Sequence, residues 1–587
     1  MKFGKLELNP AFNPGVLDTG TWDGVAAAAQ VRAAGCDWTA IAAAARLLRG
    51  WPATGPLQWW PGSAAVTPQG VWVLADLPDG QSVLIGIGSE RSDRGPGGPL
   101  AQWSAGPDCV IQVLPTSAAV LDVYCRLFKP AKGPQALGDE PRLGIGTRMT
   151  TQVWPGIFEA MAREKMAANS IQNSIRELSL LEDLLAALPP ETNYSTGIGT
   201  IEVGWTGSTY EGLWVAGVLA ALRCDHELLY GADADHVQVK RGPGGVERAR
   251  RVLRAARYYS FYTLDMADVL DYAALATASG VPVRRLIEGK IPEADERRLV
   301  LEYLLRPQFV GLKRYQLDVD TAGRLIGKYW DALASVEVLA AEISHLKSGV
   351  PFDLELTIDE HPPEVAAFDC LTTDAEVLFL ALEIKRRRLP ITHLAPNFGQ
   401  EKGYDYRCPD GLAGLEQRAR AQFEIAAEFG LMLDVHSGDD LSSDTRQVFG
   451  RAASGRLHFK VSPMLQVIYA ETLQQHHPDV FDRWWNDAWA YAQREAAAGS
   501  PAAEAALAEL AAAPGASRSC RQKVFMSYSF PFVGRRDAHG QFLHREEFYR
   551  LSPPFLAAYQ ARVAEWLSEV AADVFHSTNH SHAIISR

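Results

Sequence analysis

The sequence predicts an α/β protein built as a (β/α)8 barrel of the TIM type, with an N-terminal α+β extension and a C-terminal helical segment. Three observations predict it. From about residue 141, short apolar runs alternate repeatedly with longer helical ones, the pattern of a parallel sheet wrapped by helices. Several of these runs are apolar until their last residues and then turn polar, as in Leu431-Met-Leu-Asp-Val-His-Ser-Gly-Asp-Asp440 and Arg456-Leu-His-Phe-Lys-Val461. In parallel barrels the carboxyl ends of the strands form the rim that binds small polar ligands. Finally, 587 residues that are 47% hydrophobic and 22% charged suit a large globular chain with a substantial core.

Taken in order, residues 1–140 are rich in Gly, Pro and Trp and form an accessory α+β region. Thr21 to Arg49 reads as Ala-rich helix, and Gly70–Leu74 with Ser82–Gly86 as a hairpin joined through Pro78-Asp-Gly80. The catalytic barrel is expected over 141–499. Its strands are predicted at Arg142–Arg148, Leu228–Lys240, Ser260–Leu264, Phe352–His361, Ile391–Pro396 and the two segments above, while Pro155 to Leu188 reads as largely helical. Residues 500–516 read as an exposed helix and Ala/Pro-rich linker. Residues 517–587 pack on the barrel, with one more strand expected at Gln522–Ser529 and a closing amphipathic helix at Phe555–Phe575. Gly144-x-Gly146 is a poor dinucleotide fingerprint, because Met149 stands where the third glycine belongs.

Composition narrows the function. Lys+Arg 57 against Asp+Glu 70 gives a net charge of -13, which opposes a nucleic-acid partner. Seven scattered cysteines with no CxxC pair fit free thiols in a reducing compartment. No apolar run approaches the roughly 20 residues a bilayer requires, and Met1 to Gly15 has no signal-like core, so a cytoplasmic enzyme without a membrane partner is expected. The sequence leaves oligomeric state open.

The strand ends carry the chemistry. Side chains alternate across a strand, so Asp434 and His436 share one face, as do His458 and Lys460. Ligand-type groups cluster at Asp235-His236, Asp359-Glu360, Asp434-x-His436 and His458. Two neutral imidazoles with one carboxylate make an open site for a divalent ion such as Zn, Mn, Co or Ni, and Glu360, His436 and His458 are the expected ligands. Asp235, Lys402 and Asp434 are the expected catalytic groups. Arg176, His236, Lys240, Ser437 and Lys460 are the expected contacts to a sugar acid or ketose. Glu355 lies on the Asp359 face as an ion-pair candidate, and His393 reads as a buried, hydrogen-bonded residue.

Together, Asn173-Ser-Ile-Arg-Glu177, Gly231-Ala-Asp-Ala-Asp-His236, Asp359-Glu360, Ala395-Pro396 with Glu401-Lys-Gly-Tyr-Asp-Tyr406, Val435-His-Ser-Gly438 and His458-Phe-Lys460 resemble the tagaturonate epimerase family. The resemblance runs from about residue 141 to the C-terminal helix. It departs from the family pattern at Asp439-Asp440-Leu441 and Val461-Ser462-Pro463. It implies a metal-dependent isomerase that interconverts tagaturonate and fructuronate, with Asp235, Glu360, His436 and His458 in the site. In a 2-ketose the C4 proton is not α to the carbonyl, so inversion at C4 points to retro-aldol cleavage and re-addition. A metal-dependent aldolase and a sugar-binding barrel without turnover are the alternatives.

Overall fold

A computed structural model describes residues 2–18, 24–52, 55–68, 70–88, 95–107, 109–195, 199–359, 367–401, 403–512 and 517–576. Eight parallel strands close into a barrel. They are β1 (Arg142–Gly146), β2 (Ala167–Ser174), β3 (Tyr230–Gln238), β4 (Phe261–Asp265), β5 (Asp353–Thr357), β6 (His393–Ala395), β7 (Met432–Val435) and β8 (His458–Val461). Each pairs with the next, and β8 returns to β1 in the register His458↔Arg142 and Lys460↔Gly144. A helix follows every strand: α1 (Trp154–Glu164), α2 (Tyr210–Arg223), α3 (Gly245–Ala255), α4 (Val319–Lys347), α5 (Asp374–Arg387), α6 (Gly411–Glu428), α7 (Ser443–Ala452) and α8 (Pro463–His476).

Local signals explain most boundaries. α5 starts with a capping box in which Thr373 and Glu376 bond each other's backbone, and it ends at Arg388 in the left-handed region (φ 56°) with Lys385, Arg386 and Arg387 in its last turn. α4 starts at Asp318, whose carboxylate accepts the Thr321 N–H. α2 is buried on nearly every side, which suits its run Leu213-Trp-Val-Ala-Gly-Val-Leu219.

Two expectations are corrected. Pro155 to Leu188 is not one helical stretch, because β2 occupies Ala167–Ser174 inside it. Its sequence, Ala-Ala-Asn-Ser-Ile-Gln-Asn-Ser, lacks an apolar face because polar side chains line the barrel interior. The segment Gln522–Ser529 is a short helix, Lys523–Tyr528, and adds no strand to the barrel.

The N-terminal region holds an antiparallel sheet in the order Gln58–Thr67, Gly70–Asp76, Ser82–Gly88, Cys109–Pro115, Ala101–Gly106. Alternation divides its faces. Val71, Val73, Val83 and Ile85 pack with helices Gly24–Ala33 and Trp38–Leu47, whereas Trp72, Leu74, Leu84 and Leu114 join the core that surrounds the barrel. Arg545 ties distant segments together: its fully buried guanidinium donates to Thr206 O, to Pro14 O at 2.6 Å and to Ser208 Oγ at 3.2 Å. The last described helix, Pro553–Phe575, buries Phe555, Tyr559, Val563, Leu567, Val570 and Val574 at helical spacing.

Candidate active site at the carboxyl rim of the barrel

Barrel interiors of this type are ordinarily filled by Val, Ile and Leu. Here alternation along each strand turns charged groups inward instead. At the lower level, Arg142 (β1) is fully buried over the ring of Phe261, 3.4 Å from Asp353 Oδ2 and 2.6 Å from His393 Nε2. A guanidinium only donates, so His393 Nε2 accepts and its Nδ1 donates to Thr392 Oγ1 at 2.7 Å. Burial and then Arg142 hold both His393 and His458 well below the usual imidazole range, so both are neutral. Asn169 Nδ2 lies 3.4 Å from His458 Nε2 and can only donate to it. Nδ1 of His458 therefore carries the hydrogen and donates to Asp434 Oδ2 at 2.7 Å.

The middle level is organised by Lys460 (β8). Its ammonium lies 2.7 Å from Glu355, 2.8 Å from Thr263 Oγ1, 3.0 Å from Asp235 and 3.1 Å from Asp233. Burial opposes its charge, but the three carboxylates outweigh burial and hold it well above the usual lysine range. Three N–H donors facing four acceptors leave none for a substrate anion. Lys460, expected at a substrate carboxylate, is thus the counter-ion of the acids. Room for it comes from Gly144, where a Cβ would stand 2.7 Å from both Lys460 Cγ and His458 Nε2; a Cβ on Gly146 would likewise meet Ser462. These two glycines serve close packing inside the barrel, not a nucleotide loop.

At the rim, His436 Nε2 lies 2.9 Å from Glu355 Oε1 and its Nδ1 lies 3.1 Å from Asp359 Oδ2. Burial disfavours the imidazolium, but Asp359 and then Glu355 overcome it and raise His436 to about 10. The contacts are poorly aligned: both His436 nitrogens, Glu355 Oε1 and Asp434 Oδ1 are buried without a hydrogen bond of good geometry among the described residues. Burial and the adjacent Glu355 push Asp434 well up, while Lys460 and His436 overcome burial to hold Glu355 well down. Two carboxylate oxygens facing each other without a donor need a proton or a cation between them.

A pocket of about 190 Å³ opens above this cluster, and Asp235, His236, Asp359, His436 and Ser437 line it. His236 takes a left-handed conformation (φ 52°) at a register shift in β3, which brings Asp235 and His236 to the same pocket although they are adjacent in sequence. Its Nδ1 lies 3.3 Å from Asp265. Arg176 and Arg148 form the β1–β2 side; Arg148 stacks on Trp205 and bonds Glu177 and Gln466. On the turn after β7, Asp439 is buried and accepts the N–H groups of Ser462 (2.8 and 2.9 Å) and Met464 (3.0 Å); burial raises it to about 7 against those bonds.

Of the expected residues, Asp235, His236, Arg176, His436, Ser437 and Lys460 gather at the pocket, and Asp434 and His458 lie beneath it. Lys240 points elsewhere, pairing with Asp268 at 2.7 Å. Glu360 and Lys402 lie outside the described residues. His436 and His458 do not share one cluster: His436 groups with Glu355 and Asp434, and His458 with His393 and Asp434. The second set is a poor cation site because Arg142 occupies the lone pair of His393 Nε2. The first set, with its undonated oxygens and nitrogens, suits a divalent ion. Asp233, Thr263 and Arg148 were not singled out in the sequence, and Asp439 was marked only as a departure from the family pattern. The repeat Asp233-Ala-Asp235 carried a signal, since alternation places both acids on one face.

A closed parallel barrel with its acids and imidazoles gathered at the carboxyl rim defines a barrel enzyme acting on a small polar substrate. A family model described as UxaE, tagaturonate epimerase, matches residues 200–499, and the chain belongs to that family, which makes it a carbohydrate epimerase of the isomerase class. The native structure of fructuronate-tagaturonate epimerase UxaE from Cohnella laeviribosi is similar at 21% identity and TM-score 0.62, over 92% of this chain and 99% of that one. Its complex with one glycerol gives 21% and 0.61, over 89% and 96%. No curated protein sequence matches the chain.

Proposed function

We propose that this chain is a metal-dependent epimerase that inverts C4 of a ketohexuronate, interconverting tagaturonate and fructuronate. The observation that carries the reading is the cluster of His436, Glu355 and Asp434 beneath a pocket lined by Asp235 and Asp359, in a chain of this family. A divalent ion such as Zn, Mn, Co or Ni held by His436, Glu355 and Asp434 would polarise the C2 ketone and stabilise negative charge on its oxygen. His458 keeps Asp434 oriented through the 2.7 Å hydrogen bond.

The chain's own groups handle the proton. Burial is overcome by Lys460, His236 and His436, which hold Asp235 below the usual carboxylate range, so it is ionised and can accept the proton of the C4 hydroxyl. As that proton leaves, the C3–C4 bond breaks: its electron pair goes to the C1–C3 fragment as an enediolate, and C4 becomes an aldehyde. Arg176 and Arg148, on the β1–β2 side, hold the carboxylate of the C4–C6 fragment while C4 turns about the C4–C5 bond. Re-addition to the opposite face reforms C3–C4, and Asp235 returns the proton.

The test is incubation with tagaturonate and with fructuronate, with and without a chelator, resolving products by chromatography. Interconversion abolished by the chelator and restored by a divalent ion is expected. Inactivity on both sugars with metal bound would remove the substrate assignment, and released three-carbon fragments would make the chain an aldolase.

A further inference from the structure

In TIM barrels an anionic group of a substrate, phosphate above all, is commonly held by the loops after the seventh and eighth strands and a nearby helix N-terminus. In this chain that position is filled from within. Asp439 leaves β7 on the turn Gly438–Asp440 and places both carboxylate oxygens against the start of α8, taking the N–H of Ser462 twice and that of Met464 once. Pro463 has no N–H, and the Leu465 N–H is bonded to Ser462 O, so the donors that an anion would use at this end are occupied. Asp439 nonetheless belongs to the pocket wall together with Ser462, whose Oγ is buried without a hydrogen-bond partner among the described residues.

Resting on the substrate class proposed above, we infer that Asp439 is a specificity residue: a built-in carboxyl group that occupies the donors a phosphate would use and so excludes phosphorylated ketoses, leaving Arg148 and Arg176 to hold the charged end of the substrate. Asp439 and Asp440 reach the pocket from the turn after β7, and the two arginines reach it from the loops after β1 and β2. A phosphate brought to the start of α8 would find its N–H donors already taken by this carboxyl group, which in its charged form also repels it. A helix cap with no bearing on specificity would stabilise α8 and leave ligand preference untouched.

Binding, read without turnover, separates this inference from the proposed reaction. In calorimetric titrations of the metal-loaded wild type, fructose 6-phosphate should bind no better than fructose; a phosphorylated sugar binding at least about tenfold tighter would overturn the inference. Inorganic phosphate should leave the wild-type melting temperature where sodium chloride of equal ionic strength leaves it. The D439S variant, with the start of α8 opened and the charge removed, should be stabilised by millimolar phosphate and should gain affinity for fructose 6-phosphate over fructose. D439N, which keeps an acceptor on the same N–H groups, should gain much less. A folded D439S that gains nothing overturns the inference. If D439S does not fold, the wild-type comparison of the two sugars decides alone.

Discussion

Asp434 stands between two histidines, receiving the Nδ1–H of His458 at 2.7 Å on one oxygen and turning the other toward the His436–Glu355 pair. The two imidazoles therefore differ in kind. His458 is sealed in the barrel beside Arg142 and neutral, whereas His436 reaches the pocket and, with no ion bound, is drawn to its charged form by Asp359 and Glu355 against the effect of burial; a bound cation would replace that proton. Their roles can be separated by substitution.

His436→Gln removes a nitrogen ligand. Metal content by atomic emission after dialysis should fall, with affinity lower by at least about 100-fold, while circular dichroism stays unchanged. Retention of metal at wild-type affinity would exclude His436 as a ligand.

His458→Gln removes only the group that orients Asp434. The expected loss is about 10–100-fold in metal affinity or in kcat, with KM close to wild type. A loss as deep as that of His436→Gln would place His458 in direct contact with the ion.

Lys460→Met leaves Asp233, Asp235 and Glu355 buried around an apolar chain. Breaking a buried ionic cluster in this way costs about 3–5 kcal/mol, which urea denaturation would read as a lower midpoint. An unchanged midpoint would show that these acids do not depend on the ammonium.

Gly144→Ala places a methyl 2.7 Å from His458 Nε2 and 2.8 Å from Gln172 Oε1. Overpacking here should cost about 1–3 kcal/mol and lower kcat, because the displaced groups position Asp434 and Asp235. The same change at exposed Gly289, where a Cβ meets nothing, is the control.

Glu211 gives stability a pH dependence away from the site. Burial raises it from 4.5 to about 7, and one of its oxygens has no hydrogen bond among the described residues. The folded value lies above the unfolded one, so its contribution is complete below about pH 4.5 and is lost as pH rises through about 7. Relative to wild type, Glu211→Gln should therefore gain on the order of 3 kcal/mol between pH 4.5 and 8, seen as converging or crossing melting curves. A difference constant with pH would mean that Glu211 is already ionised in the fold.

The barrel was legible because strand–helix alternation and polar strand ends are local signals. β7 and β8 fell where their sequences put them, and Asp235, His436 and Lys460 share one pocket as the face rule predicts. β2 was illegible because a barrel lined with polar groups removes the apolar face by which a strand is recognised. The partners of Lys460 were hidden for another reason. Asp233, Thr263 and Glu355 come from three strands far apart in the chain, and only closure of the sheet brings them to one ammonium. Glu355 was visible as an ion-pair candidate, but its contact with His436 depends on register across the barrel.

Arg545 has a consequence for how the chain matures. Its guanidinium fastens the carbonyls of Pro14 and Thr206, so two segments made earlier await a residue that lies 531 and 339 positions further along the chain. Strands can pair as they emerge, yet the seam that joins Pro14 to the barrel wall is sewn only once Arg545 has been made. Until then the backbone oxygens that it will cover stay wet.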